Sequence, residues 1–320
     1  MPFTDRNPRD PPMKKSRTAT LPIEEYRDHL NLDAPFAPPP AARITELSQI
    51  VDKLIDHLLA EHKTAPEALH RINKAGTRPR GRLQALATIR RPRPPLPDEI
   101  QILFDRLLQS ERARRRETAA ASLPTIAEAF PSTPYPAARQ TCLWQGDITA
   151  LAVDAIVNAA NEELLGCFSP FHPCMDNTIH SAAGPRLRAD CDAILQLQGS
   201  DEPAGDAKIT RAYNLPSRFV LHTIGPLCPP RAKKPSPEAA KLLARCYESC
   251  LDLAARLPQI RSLAFCGIAT GVVGFPAEPA CDIALATVAS WLERNPQRFD
   301  RVIFAVSSDD DQKVYAGKLA

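Results

Sequence analysis

No stretch of this 320-residue chain approaches 18 consecutive apolar residues, so no transmembrane helix and no membrane partner are expected. The opening residues, MPFTDRNPRDPPMKKSRT, have none of the apolar centre of a secretory signal. Charge of one sign is not in excess. A formal net charge of +3 gives no reason to expect direct nucleic-acid binding. The nine cysteines are odd in number and scattered through ordered-looking sequence, which argues against a disulfide framework. They point to a reducing compartment, the cytoplasm first and the nucleus as the alternative. The basic run RARRR reads as a solvated helix end in preference to an import signal.

The hydrophobic content of 44% supplies a real core, and the length exceeds what one small domain needs. Proline divides the chain. Residues 1–40 are rich in proline and charge, end in APFAPPP, and are expected to be a disordered tail. From Ile44, the segment ITELSQIVDKLIDHLLAEH sets apolar residues at three- and four-residue steps, a helical stripe. RLQALATIRR, stopped by PRPPLP, and DEIQILFDRLLQSERARRRE, acidic at its start and basic at its end, complete a helical unit over 41–136.

Residues 137–320 read differently. TCLWQ, VDAIVNAA, AKITRAYNL, RFVLHTIG, SLAFCGIA and RVIFAVSS are strand-like and alternate with helical segments, with Ser236 as the N-cap of the longest. That alternation predicts an α/β unit with a mainly parallel sheet, whose ligands sit at the carboxyl ends of strands. The polar and glycine-rich segments fall at those ends. TGVVGFP, Thr270 to Pro276, stands directly before a helix and suits either a phosphate or a tight strand–helix turn. Asn158 and Asn161 suit a site or a turn, and Gly146-Asp147 a site, a turn or a helix cap.

Cys167, His172 and Cys174, at relative positions 0, +5 and +7, offer two thiols and an imidazole, a set suited to Zn²⁺. Three protein ligands with a fourth position open is the arrangement of a catalytic zinc. The spacing alone equally allows two packing thiols and a loop histidine. Cys142, Cys191, Cys246, Cys250, Cys266 and Cys281 fall in regular patterns and read as core thiols, while Cys228 lies in a loop. Asp176 suits either a catalytic carboxylate or the N-cap of a helix starting near Asn177, and His180, four residues on, reads as packing.

QGDIT, DAIVNAAN, DNTIHSAAG, YNLPSRFVLHTIGP and GIATGVVGFP occur in that order. Together they resemble the macrodomain, an ADP-ribose-binding module, over about residues 140–320. The stretch GCFSPFHPCMDN after NAAN, where other catalytic macrodomains carry a glycine run, resembles the zinc-dependent branch, protein-ADP-ribose hydrolases with a helical N-terminal extension. The resemblance implies a three-layer α/β/α fold with a mixed, mainly parallel sheet. It implies that Asp147, with the Ile148 backbone, receives adenine, that Asn161 holds the distal ribose, and that Thr270, Gly271, Val272, Val273 and Gly274 line the diphosphate. Phe275 would pack near a ribose, and Asp176 would orient or activate water. Val273 stands where many macrodomains carry an aromatic, so tight stacking over the distal ribose is not implied.

The reaction implied is removal of mono-ADP-ribose from a modified protein, from Asp or Glu esters, with Zn²⁺ as cofactor and ADP-ribosylated protein and ADP-ribose as partners. A bound zinc polarises oxygen and acidifies water, although two thiolates weaken it as a Lewis acid. The alternatives are a non-catalytic ADP-ribose reader and an O-acetyl-ADP-ribose deacetylase.

Overall fold

The computed structural model describes residues 20–61, 72, 78–229, 234–271 and 273–320. Its first part includes, among the described residues, α1 (Leu47–Glu61), α2 (Pro79–Ile89) and α3 (Asp98–Arg112). Ile50, Val51, Leu54, Ile55 and Leu58 of α1 are buried against Leu83 and Leu86 of α2 and Ile100, Phe104 and Leu107 of α3, giving these helices a core of their own. Ile44, counted in the stripe from its spacing, is 77% exposed, because it lies in a 3-10 turn ahead of α1 and misses the helical phase.

The remainder builds the α/β unit. Two short strands, β1 (Thr118–Ala119) and β3 (Leu151–Ala152), pair in parallel beside the short helix α4 (Ile126–Ala129). The main sheet contains β2 (Thr141–Gln145), β4 (Ala155–Ala159), β5 (Ala207–Arg211), β6 (Phe219–Thr223), β7 (Ser262–Phe265) and β8 (Arg301–Val306), in the order β2-β8-β7-β4-β6-β5. Every neighbouring pair is parallel except β5 with β6. Helices α5 (Met175–Ala183) and α6 (Pro185–Gln198) pack together and against β4 and β5. Helices α7 (Pro237–Ala255), α8 (Ala277–Arg294) and α9 (Asp309–Leu319) form the other layer. The result is a three-layer α/β/α fold with a mixed, mainly parallel sheet.

The sequence explains the layering. FVLHT of β6 is buried throughout, and RVIFAV of β8 in all but its first residue. Continuous apolar strands need cover on both faces, which helices supply. Gly184, at φ +93, breaks α5 from α6, and Pro185 opens α6 at the first-turn position where a missing N–H costs nothing. Ser236 caps α7 by accepting from Ala239 N at 3.1 Å, as its position predicts. Cys142, Cys191, Cys246, Cys250, Cys266 and Cys281 are all buried, and burial raises each thiol above its usual range.

Two boundaries differ from the sequence reading. Residues 20–33 are not a loose tail; residues 1–19 lie outside the described residues. Leu21, Ile23, Tyr26, Leu30 and Leu32 enter the core of the α/β unit. The Tyr26 hydroxyl accepts from Ile209 N at 3.2 Å, satisfying an outward N–H of β5, the edge strand. Average composition concealed these five residues among prolines and charges. The second change is at 118–136, grouped by sequence with the helical unit. Ala120, Leu123 and Ile126 pack in the α/β core, because β1 pairs with β3 and brings them there.

The helical unit joins the α/β unit through buried polar contacts. Asp105 of α3, 1% exposed, accepts from Arg186 Nε at 2.8 Å and from Asn214 Nδ2 at 2.8 Å. Gln109 donates to Asn214 Oδ1 at 2.9 Å.

Tyr26→Ala is expected to destabilise the chain by about 3–5 kcal/mol, the range for emptying a buried aromatic site. Urea unfolding measures this, and a loss below about 1 kcal/mol would show that residues 20–33 do not belong to the core.

Candidate functional site

Because β2, β8, β7, β4 and β6 run in parallel, their carboxyl ends share one edge. Asp147 follows β2, the loop from Ala269 to Phe275 follows β7, and Asn161 opens the loop after β4. From β2 to β4 is three interstrand steps, roughly 14 Å at about 4.8 Å each. The three predicted contact points therefore line up along the edge in chemical order: a carboxylate at one end, a glycine loop over the middle, an amide at the other.

Asp147 is the N-cap of the 3-10 turn Ile148–Ala150, accepting through Oδ1 from Thr149 N at 2.9 Å and Thr149 Oγ1 at 2.6 Å. Its other oxygen lies 3.6 Å from Arg115 Nη1, a partner the sequence reading missed, since Arg115 is 32 residues upstream in the basic run. Ile148 is 1% exposed, backbone and side chain alike, and belongs to the core.

In the loop after β7, Gly274 N donates to Gly271 O at 3.2 Å and Phe275 N to Ala269 O at 2.9 Å, so both amides are committed within the loop. The amides of Thr270, Gly271 and Val273 make no hydrogen bond to a described residue; Val272 lies outside the described residues. A Cβ added at Gly271 would meet nothing within 4 Å, which leaves room for a ligand at that point of the loop. Phe275 is 2% exposed and belongs to the core, where it anchors the loop.

Asn161 is exposed, and its Nδ2 donates to Gly166 O at 3.1 Å, tying the start of the loop to the residue before Cys167. Gly166 is at φ +79, and a Cβ there would stand 2.9 Å from the His180 ring, so only glycine fits. Leu164 and Phe171, also in this loop, and Ala269 in the loop after β7 are non-glycine residues at φ 54, 61 and 64. Such backbone is held only where its surroundings over-determine it, and it concentrates at functional sites.

The loop brings Cys167, His172 and Cys174 together, with ligand atoms within 4.8 Å of one another and each residue partly exposed. Cys167 Sγ is 3.7 Å from His172 Nδ1. Tetrahedral bonds of about 2.0–2.3 Å put donors roughly 3.3–3.8 Å apart, so this set fits a zinc-sized ion with small adjustment. Backbone N–H groups already point at both sulfurs: Ser169 N at 3.4 Å from Cys167 Sγ and Asn177 N at 3.4 Å from Cys174 Sγ. Cys174 is the N-cap of α5, where the helix field favours a thiolate. The hydrogen bond between the two thiols holds Cys167 down to about 5 and pushes Cys174 up, so the pair keeps one proton that a dication would displace.

Asp176 is not the N-cap; Cys174 takes that place and leaves Asp176 in the first turn of α5. It is 6% exposed and accepts from Asn158 Nδ2 at 2.8 Å. Burial raises its carboxyl to about 6, with the Asn158 hydrogen bond opposing. Asn158 also sits 3.2 Å from His222 Nδ1 on β6, so the asparagine in the middle of an apolar strand is a buried bracket and not a turn former. Its signal in the sequence was an amide inside AIVNA, where only apolar residues are expected. His180 Nε2 lies 3.5 Å from Asp176 Oδ1, but neither ring nitrogen has a hydrogen-bond partner among the described residues. Burial holds its pKa well below the usual value, so it is a neutral packing ring.

A separate cavity, about 830 Å³ of unfilled space partly open to solvent, lies at the seam between the helical unit and α6, lined by Leu83, Phe104, Leu107, His180 and Arg188 among others. Neither Asp147, Asn161, the 270–275 loop nor the Cys/His/Cys set lines it. In a parallel sheet the carboxyl edge, and not this seam, is where ligands meet convergent backbone amides.

Comparison with known proteins gives the family. Residues 157–284 match the model of the Macro domain family. A protein-ADP-ribose hydrolase of Treponema medium is 49% identical over 173 residues, covering 54% of this chain and 64% of that relative. The chain thus spans less than two thirds of that relative's length. The Trypanosoma brucei macrodomain in complex with ADP superposes with a TM-score of 0.55 at 31% identity, covering 70% of this chain and 90% of that one. In its complex with ADP-ribose the same macrodomain gives a TM-score of 0.55 at 29% identity, covering 73% and 94%. With the order of motifs, the sheet and these relatives in agreement, the chain belongs to the Macro domain family.

Proposed function

We propose that this protein is a zinc-dependent hydrolase that removes mono-ADP-ribose from modified proteins, acting on carboxylate esters of Asp or Glu. The observation that carries this reading is the Cys167–His172–Cys174 set in the loop that Asn161 opens, two residues from Asp176. A reader of ADP-ribose needs neither the ligand set nor a buried carboxylate beside it. The names of the Treponema medium relative and of the ADP-ribose complex support the activity and the ligand.

In this reading Asp147 accepts the adenine amine through the oxygen not used by Thr149, with the Ile148 backbone beside it. Amides of Thr270, Gly271, Val272 and Val273 receive the diphosphate, and Gly274 shapes the turn through which they converge. Phe275 supports that turn from below. Asn161 holds the distal ribose, and Asp176, fixed by Asn158, orients the attacking water and accepts its proton. When bound, zinc on Cys167, His172 and Cys174 would polarise an oxygen of the ribose or ester and lower the pKa of bound water. The bond between the distal ribose and the protein carboxylate is cleaved by water, giving free ADP-ribose and a free side chain. The loop offers no cationic acid to protonate a guanidine leaving group, whereas a carboxylate leaves without one.

Metal analysis of protein purified without chelators is expected to give about one zinc per chain. His172→Ala should lower metal content and activity together while leaving the circular dichroism spectrum and Tm of the α/β unit in place. Metal-free protein with reduced loop cysteines would refute the zinc assignment.

Calorimetry should show ADP-ribose binding weakened by roughly 1.5–3 kcal/mol in Asp147→Ala, the range for a hydrogen bond to a charged group. Unchanged affinity would place adenine elsewhere.

Time courses on two substrates test the linkage. ADP-ribose should be released from Asp- or Glu-modified protein, and release should stop on chelation and fall at least about 10²-fold in Asn161→Ala, the scale for lost near-attack geometry. Faster release from Arg-modified protein would overturn the ester assignment.

A further inference from the structure

Phe168 follows the first of the three ligands directly, and two guanidinium groups lie against its ring. Arg91 Cζ is 3.9 Å from the ring centroid and Arg188 Cζ 4.8 Å. The two arginines come from opposite sides of the seam: Arg91 follows α2 in the helical unit, and Arg188 belongs to α6 in the α/β unit. Arg188 is 8% exposed, and its Nη1 donates to the carbonyls of Ala87 at 3.0 Å, Thr88 at 3.2 Å and Arg90 at 2.6 Å. These are among the carbonyls at the end of α2 that have no partner within the helix, and a cation is favoured there by the helix field. Arg91 reaches the metal loop a second time, with Nη1 3.2 Å from Glu163 Oε2, between Asn161 and Cys167. Arg90 is itself held by Glu61 through contacts at 2.7 and 3.1 Å, so the end of α2 is fixed to α1. Beneath the ring, Leu164, Leu165, Cys191, Leu195 and Ile224 form a small apolar cluster on which Phe168 packs.

Each contact has a definite weight. The Arg91–Glu163 pair is exposed and contributes little by itself. A guanidinium on an aromatic face gains most where water is excluded, and Arg188 is buried. The helical unit thus reaches the residue next to Cys167 through a buried cation that cannot leave without stranding three carbonyls.

We propose that Phe168, gripped by Arg91 and Arg188, is a positioning residue for the Cys167/His172/Cys174 set, so that the helical unit forms part of the metal site. This rests on the metal reading above, and the experiment separates the two. The full chain is stripped with chelator and titrated with Co²⁺, following the thiolate-to-cobalt absorption. Amide hydrogen exchange of residues 166–174 is measured on the stripped protein.

Phe168→Ala is expected to weaken Co²⁺ binding about tenfold, at the low end for groups that orient ligands, and to speed exchange of 166–174 without metal. Tm should stay close to wild type. Phe168→Tyr, which keeps the aromatic face, should bind Co²⁺ as the wild type does, and Phe168→Leu should resemble Phe168→Ala. Arg91→Ala, altered at an exposed side chain, should weaken binding in the same direction, and it decides the matter if Phe168→Ala does not fold. Wild-type Co²⁺ affinity in Phe168→Ala, or in Phe168→Leu, overturns the proposal. So does unchanged exchange of 166–174 in the stripped Phe168→Ala protein. Failure of the wild-type chain to take up Co²⁺ defeats the metal reading and the positioning role with it, while the exchange arm still reports whether the grip holds the loop.

Discussion

Strand β4 is hydrogen-bonded to β6 on one side and β7 on the other, and its residues Ala155 to Asn158 are buried. Its carboxyl end is therefore held from both sides, and the loop that leaves it carries Asn161 and the Cys/His/Cys set. Asn158 makes this rigidity useful. Its side chain ties β4 to Asp176 on α5 and to His222 on β6, so strand, helix and neighbouring strand are fixed by one buried amide. Both contacts use the amide nitrogen, while Asn158 Oδ1 is buried with no hydrogen-bond partner among the described residues.

The second constraint is the seam. Asp105, Arg186, Asn214 and Arg188 make contacts that cross from the helical unit to the α/β unit in buried or half-buried surroundings. Breaking such contacts one at a time leaves a buried group unpaired, which costs more than forming them contributes. The helical unit is thus held in one orientation, with the end of α2 beside the start of the Cys/His/Cys loop. At the other edge of the sheet, Tyr26 and its apolar neighbours cover β5. Segments distant in sequence complete both the edge and the loop.

Electrostatics distinguishes the buried groups by what surrounds them. His222 is pushed down to about 3 by burial and is a neutral bracket, while His180, also held low by burial, is a neutral packing ring. Cys167 lies low because a second thiol donates to it, while the six core thiols are raised by burial and stay protonated. Burial thus separates Cys167 from the six core thiols, although the nine cysteines are chemically alike in the sequence.

Periodicity in the sequence determined the strand and helix segments, the alternation that makes the sheet mainly parallel, and hence the edge at which Asp147, Asn161 and the 270–275 loop would meet. Local spacing also brought out Cys167, His172 and Cys174, because ligands within eight residues of one another need no tertiary fold to be neighbours. Contacts between segments far apart in the chain were decided only by the tertiary structure. Arg115 reaches Asp147, Arg188 caps α2 and touches Phe168, and residues 20–33, expected to be loose, fill an edge of the core. The physical reason is the same in each case: a side chain's periodicity reports which face of its own element is apolar, whereas its partner is set by packing, and composition averaged over a proline-rich segment conceals the few residues that pack.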